Sequence, residues 1–99
     1  SKFDPISAGD VVFNKGFSTE DPVRIVFLGE SSQQQMARFQ HLIERIGGVV
    51  ESEVSVLTDF VILLPDYEKH NGSKDNVNRA KEIGVRGMTL DELRVYVEF

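Results

Sequence analysis

Gly29-Glu30-Ser31-Ser32 is the stretch of this 99-residue chain best placed to do chemistry. An apolar run ends just before it and a helical pattern begins just after it. The backbone N–H groups of a first helical turn have no partner inside the helix, and they favour an anion. A phosphate is the natural ligand for such a turn, with Lys74 as the cation that could join it. A plainer reading competes with this one. Ser32 is a good N-cap with Gln35 three residues on, and Glu30 repels an anion. No GxGxxG and no GxxxxGK[ST] loop is present.

Other residues could serve catalysis. Glu30 and Asp66 both fall at the carboxyl ends of apolar runs, where open α/β sheets place ligands. With Lys69 or Lys74 beside them they suggest a small receiver-like enzyme with an acidic pocket. Solvated surface carboxylates are the simpler account, and analogy of fold edges is a weak warrant. His41 falls in a helical segment and His70 in a loop. Neither has a second ligand at a metal-binding interval, so both read as solvated and no metal or cofactor is expected. There is no GxSxG elbow to give a serine nucleophile. Arg38 and Arg45, with Lys74, Arg79 and Lys81, form either a modest basic patch for DNA phosphate or a mixed-charge solvated face. A net charge of −5 favours the second.

The bulk composition narrows the class further. The length predicts one domain. The absence of cysteine excludes disulfides, thiol chemistry and Cys-rich zinc sites within the chain. No apolar run is long enough to span a bilayer and no signal-peptide pattern opens the chain, so an intracellular setting without membrane contact is expected. The chain reads as a domain of a longer protein. Residues 1–22, with Asp4-Pro5, Gly9, Gly16 and Asp21-Pro22, read as an N-terminal extension or linker. In the first case Val12, Phe13 and Phe17 pack onto the body. The apolar termini, Phe3, Phe13, Phe17 and Phe99, are either anchors for a partner or parts of the chain's own core.

The elements that must position these residues follow from periodicity. Val23–Leu28 is apolar on both faces, as a central parallel strand requires. Ser32 then caps a helix whose Met36, Phe39, Leu42, Ile43 and Ile46 share one stripe. Gly47 ends it in the left-handed region and Gly48 allows a sharp turn into Val49-Val50. Residues 52–59 form a loop or ragged strand end, with Val54 and Val56 as inward contacts. Phe60–Leu64 is a second buried strand, and residues 66–72 are an exposed loop. Ser73 caps a helix with Val77, Ala80 and Ile83 inward, and Gly84 stops it. Val85–Met88 is a short strand. Thr89 and Glu92 form a capping box for the last helix, with Leu90, Leu93, Tyr96 and Val97 inward. The order β-α-β-β-α-β-α, joined by right-handed crossovers, predicts an α/β three-layer fold. Its sheet is four-stranded and parallel in the order 2-1-3-4, flanked by about three helices.

This ordered set resembles the BRCT domain over residues 23–99. The likeness is carried by Leu28-Gly29, by Gly47-Gly48-Val49-Val50, and by Val54-Ser55 with Thr58-Asp59-Phe60-Val61-Ile62. Arg79-Ala80-Lys81-Glu82-Ile83-Gly84-Val85 and Thr89-Leu90-Asp91-Glu92-Leu93 complete it. It is most similar to the single BRCT domain of NAD-dependent DNA ligases. The resemblance implies a non-catalytic protein-interaction module of a larger protein in DNA replication or repair, acting through a protein partner or self-association. In phosphopeptide-reading members a Ser or Thr precedes the first-strand glycine and a Lys opens the second helix. Here Leu28 stands at the first position, and counting back from Gly84 puts Asn76 near the second, with Lys74 two residues earlier. Gly29, Ser31, Ser32, Lys74 and Asn76 are therefore the candidate phosphate-binding set, for a DNA end or a phosphopeptide. Gly47, Gly48 and Gly84 are expected to be structural.

Overall fold

The computed structural model describes residues 22–45 and 47–97, with side-chain surroundings through Arg94. Four strands, β1 (Arg24–Leu28), β2 (Val49–Glu51), β3 (Phe60–Leu63) and β4 (Arg86–Thr89), alternate with α1 (Gln33–Arg45), α2 (Lys74–Ile83) and α3 (Leu90–Val97). The sheet order is β2-β1-β3-β4 and every pairing is parallel. The expected α/β fold with its 2-1-3-4 sheet is therefore the observed one.

Alternation along the strands sorts the core into two slabs. On one side Val23, Ile25, Phe60, Ile62 and Met88 pack with Phe39 and Ile43 of α1 and Leu93 of α3. On the other, Val26, Leu28 and Val61 pack with Val54 and with Val77 and Ala80 of α2. Helices α1 and α3 thus cover one face and α2 the other, which buries β1 and β3 on both sides. At the α1–α3 seam the Arg94 guanidinium lies 5.8 Å from the Phe39 ring centroid, a cation–π contact.

The helix ends obey the capping rules in different degrees. Gln35 N–H donates to Ser32 Oγ at 3.1 Å, while the Gln35 side chain turns to the Ser31 hydroxyl, so only half of that capping box forms. The box of α3 is complete: Glu92 N–H donates to Thr89 Oγ1 at 3.2 Å and Thr89 N–H to Glu92 Oε1 at 2.9 Å. Helix α1 stops at Gly47, whose φ is +89°. Gly48 then passes so close that a Cβ there would lie 2.7 Å from Ile43 Cγ2. That approach lets Val49 N–H reach the Val23 carbonyl at 2.8 Å and starts the β1–β2 ladder. Gly84 caps α2 with a left-handed φ of +82°.

Three expectations need correction. Ser73 does not cap α2 with its side chain, because its hydroxyl is engaged elsewhere. Val56 is not an inward contact: it is 82% exposed, because a turn at residues 55–58 swings it outward. Ile83 is 39% exposed, since it ends α2 beyond the stripe that Val77 and Ala80 bury. Residues 1–21, Ile46 and Phe99 lie outside the described residues, as do the side chains of Tyr96 and Val97. The expectations placed on them, Val12, Phe13 and Phe17 included, stay expectations. Pro22, drawn with the extension, is already buried, two residues before β1.

Candidate functional site

In a parallel sheet flanked by helices, every helix starts at the carboxyl edge of the strands. Here that edge gathers the β1–α1 turn, the β3–α2 loop and the first turn of α3. A shallow cleft between the first two is lined by Glu30, Ser31, Asp66, Lys69 and His70. It continues past Leu63, Pro65, Leu90 and Arg94. The geometry therefore brings Glu30 and Asp66 to one cleft, as their strand-end positions predicted.

Gly29 is the hinge of this edge. Its φ is +99°, and a Cβ there would sit 3.0 Å from both Leu64 Cβ and Tyr67 Cα. The β1–α1 turn is thus pressed against the β3–α2 loop, a fit open only to glycine. The Gly29 N–H donates to Ser73 Oγ at 2.8 Å, across 44 residues of sequence. Ser73 is buried, and its oxygen also lies 3.0 Å from His70 Nδ1. The other ring nitrogen, Nε2, lies 2.9 Å from Glu30 Oε2. A chain of hydrogen bonds thus runs Glu30–His70–Ser73–Gly29 and closes the two loops on each other.

Either protonation state of His70 satisfies this chain. In the neutral ring protonated at Nε2, Ser73 O–H donates to Nδ1 and Nε2–H donates to the Glu30 carboxylate. In the charged ring both nitrogens donate, and Ser73 Oγ accepts twice, from Nδ1–H and from Gly29 N–H. His70 is thus a half-buried clasp and not the solvated loop histidine expected from sequence. His41 is exposed on α1, as expected.

Carboxylate, imidazole and hydroxyl in a row have the composition of a hydrolytic triad, but the geometry is that of a pin. A nucleophile must present its oxygen to substrate, with donors about 3 Å from a developing oxyanion. Ser73 is 4% exposed, and the neighbouring backbone donor is bound to Ser73 itself. Among the described residues no group of three His, Asp or Glu side chains is placed to hold a metal ion.

The candidate phosphate set is only partly assembled. Gly29, Ser31 and Ser32 lie together, and Ser73 ties the start of α2, hence Lys74, to Gly29. Several donors an anion could use have internal partners, however: Gly29 N–H donates to Ser73 Oγ, the Ser31 hydroxyl to Gln35, and Gln35 N–H to Ser32 Oγ. Asn76 is turned away altogether. Its Oδ1 accepts Val54 N–H at 2.9 Å and its Nδ2 donates to the Ser52 carbonyl at 2.9 Å. Arg79 adds a bond from Nη1 to the Val54 carbonyl at 3.2 Å. These two side chains of α2 clamp the β2–β3 loop.

No protein-family model and no curated protein matches this chain. The positive ends of three helices converge on this edge, but the chain supplies its own counter-charge there. Asp75 lies in the first turn of α2 and Asp91 and Glu92 in that of α3, while Glu30 precedes α1. Sequence reasoning missed the His70–Ser73 clasp. The one available signal was their spacing of three before a helix, which puts a histidine ring within reach of a hydroxyl.

No helix among the described residues is long and apolar enough to cross a membrane.

Proposed function

We propose that this chain is a BRCT-like, non-catalytic module that binds a protein partner, or a second copy of itself, as part of a larger protein. The carrying observation is that several polar groups that could meet a ligand at the carboxyl edge are bonded within the fold instead. Gly29 N–H, the Ser31 and Ser32 hydroxyls, both His70 nitrogens and the Asn76 amide each serve the fold. A catalyst or phosphate reader needs such groups turned toward a ligand. Leu28, fully buried before Gly29, offers no hydroxyl for a phosphate. The sheet order and the glycine closure of α1 agree with the BRCT resemblance, and a setting in DNA replication or repair, hence an intracellular one, follows from that resemblance alone.

The test has two arms. Sedimentation of the chain across a concentration series, with capture from extract of its own source cells, is expected to reveal self-association or a retained protein. A strict monomer that retains nothing overturns the reading. Titration with a phosphopeptide and with 5′-phosphorylated DNA is expected to leave the Gly29–Ser32 amide resonances unmoved.

The second reading is a phosphate site formed by Gly29, Ser31, Ser32 and Lys74. It is favoured by the Ser73–Gly29 bond, which draws the α2 N-terminus to that of α1. It requires salt-sensitive binding that weakens in Lys74→Ala.

A further inference from the structure

Asn71 and Gly72 open the short 3₁₀ turn, Asn71–Ser73, that leads into α2. Of the chain's four asparagines, Asn71 alone is followed by glycine. Both residues are exposed. The clasp explains the glycine. A Cβ at position 72 would lie 2.9 Å from His70 Cε1, and that ring is held at Nδ1 by Ser73 and at Nε2 by Glu30. The ring cannot yield without letting go of one of them. Residue 72 must therefore carry no side chain, and this leaves its backbone nitrogen unshielded. Among the described residues nothing accepts the Gly72 N–H, and nothing bonds the Asn71 side-chain amide.

We propose that Asn71 is a site of spontaneous covalent modification, and that the change loosens the Glu30–His70–Ser73–Gly29 clasp. The Gly72 nitrogen gives up its proton to hydroxide and attacks Asn71 Cγ. The new N–Cγ bond closes a succinimide ring. The Cγ–Nδ2 bond breaks, and Nδ2 takes a proton from water and leaves as ammonia. Water then opens the ring at one of its two carbonyls. Cleavage of the N–Cγ bond gives aspartate in an unchanged main chain. Cleavage at the backbone carbonyl gives isoaspartate, in which the main chain runs through the side-chain carbons.

The turn permits this attack. It must open for Asn71 Cγ to meet the nitrogen, and two backbone bonds hold it: Ser73 N–H to the His70 carbonyl at 3.0 Å, and Lys74 N–H to the Asn71 carbonyl. Short 3₁₀ segments have poor hydrogen-bond geometry, and exposed turns open at little free-energy cost. The other described asparagines, Asn76 and Asn78, are protected inside α2. The Asn76 amide is bonded at both ends, and β-branched Val77 crowds the nitrogen that follows it. Isoaspartate adds a methylene to the main chain between His70 and Ser73. The turn then no longer sets the spacing of imidazole and hydroxyl on which the clasp depends. The inference is independent of which partner the module binds.

Trypsin separates the asparagines, because it cuts after Lys69, Lys74 and Arg79. Residues 70–74 carry Asn71 alone, and residues 75–79 carry Asn76 and Asn78. The folded full chain would be aged at mildly alkaline pH, then digested briefly beside an unaged sample and weighed. The first peptide is expected to turn into the acid, with isoaspartate exceeding aspartate, while the second stays intact. Asn71→Gln, which closes such a ring far more slowly, should keep the first peptide intact. The isoaspartate form, isolated by its added negative charge, should exchange its Gly29 N–H faster than the unaged chain. An unconverted first peptide overturns the proposal, as does equal conversion of the second. Equal Gly29 exchange in the two forms overturns the loosening of the clasp.

Discussion

Ser73 Oγ receives the Gly29 N–H at 2.8 Å, and through it the start of α2 is fastened to the end of β1. Ser73→Ala would leave that N–H without a partner in a site that a Cβ on residue 29 could not enter. An orphaned buried donor costs about 1–3 kcal/mol. Urea unfolding of Ser73→Ala should show a loss in that range, and Ser73→Thr, which keeps an acceptor, a smaller one.

The glycines should rank by their surroundings. Gly29→Ala combines a φ of +99° with contacts of 3.0 Å to Leu64 Cβ and Tyr67 Cα, so strain and overlap add. Gly48→Ala meets Ile43 Cγ2 at 2.7 Å and the Ile43 carbonyl oxygen at 3.2 Å. Overpacking of this kind costs about 1–3 kcal/mol. Gly84→Ala meets nothing within 4 Å, and only its left-handed backbone opposes the change, at about 1–2 kcal/mol. Thermal unfolding is expected to order them Gly29, Gly48, Gly84 from most to least damaging.

Asn76 supplies the β2–β3 loop with one acceptor and one donor. Asn76→Asp keeps the acceptor for Val54 N–H and loses the bond to the Ser52 carbonyl, whereas Asn76→Leu loses both. Hydrogen exchange should report the Val54 amide opening faster in Asn76→Leu than in Asn76→Asp, with the wild type slowest. Equal exchange in all three would show that the clamp contributes nothing.

The α3 capping box is reciprocal, so its two side chains should behave as a unit. Thr89→Ala and Glu92→Ala are each expected to cost about 0.5–2 kcal/mol. The double variant should cost less than their sum, because each single change already weakens the other's bond. Denaturant midpoints of the three variants measure this directly.

Much of the fold was legible because it depends on local pattern. Val23–Leu28 and Phe60–Leu64 are apolar on both faces, and that alone marks them as central strands. Glycine at 47 and 84 marks helix ends, and right-handed crossovers leave few orders for four strands. The site was less legible because its bonds join loops far apart in sequence. Ser73 has the right type and place for an N-cap, but the Gly29 N–H, brought by the fold, takes its hydroxyl. His70 looked solvated because its partners lie before a helix and after a different strand. Counting back from Gly84 put Asn76 at a family position without revealing that its amide faces residues 52–54. Val56 follows Val54 by two and should share its face. The Ser55–Thr58 turn breaks that alternation, and strand logic cannot foresee a side chain hydrogen-bonding its own backbone.

The outer strands are short: β2 has three residues and β4 four. On β2, Glu51 is tied back to Arg24 of the neighbouring strand by a 2.9 Å ion pair. A foreign strand laid along such an edge would gain only a few ladder bonds and would meet a carboxylate at its end. The sheet is therefore a poor template for growth by strand addition, which protects the molecule from edge-to-edge aggregation. Under the proposed reading a partner would instead be met by the surfaces of helices and turns, so specificity would be a property of side chains and not of exposed backbone.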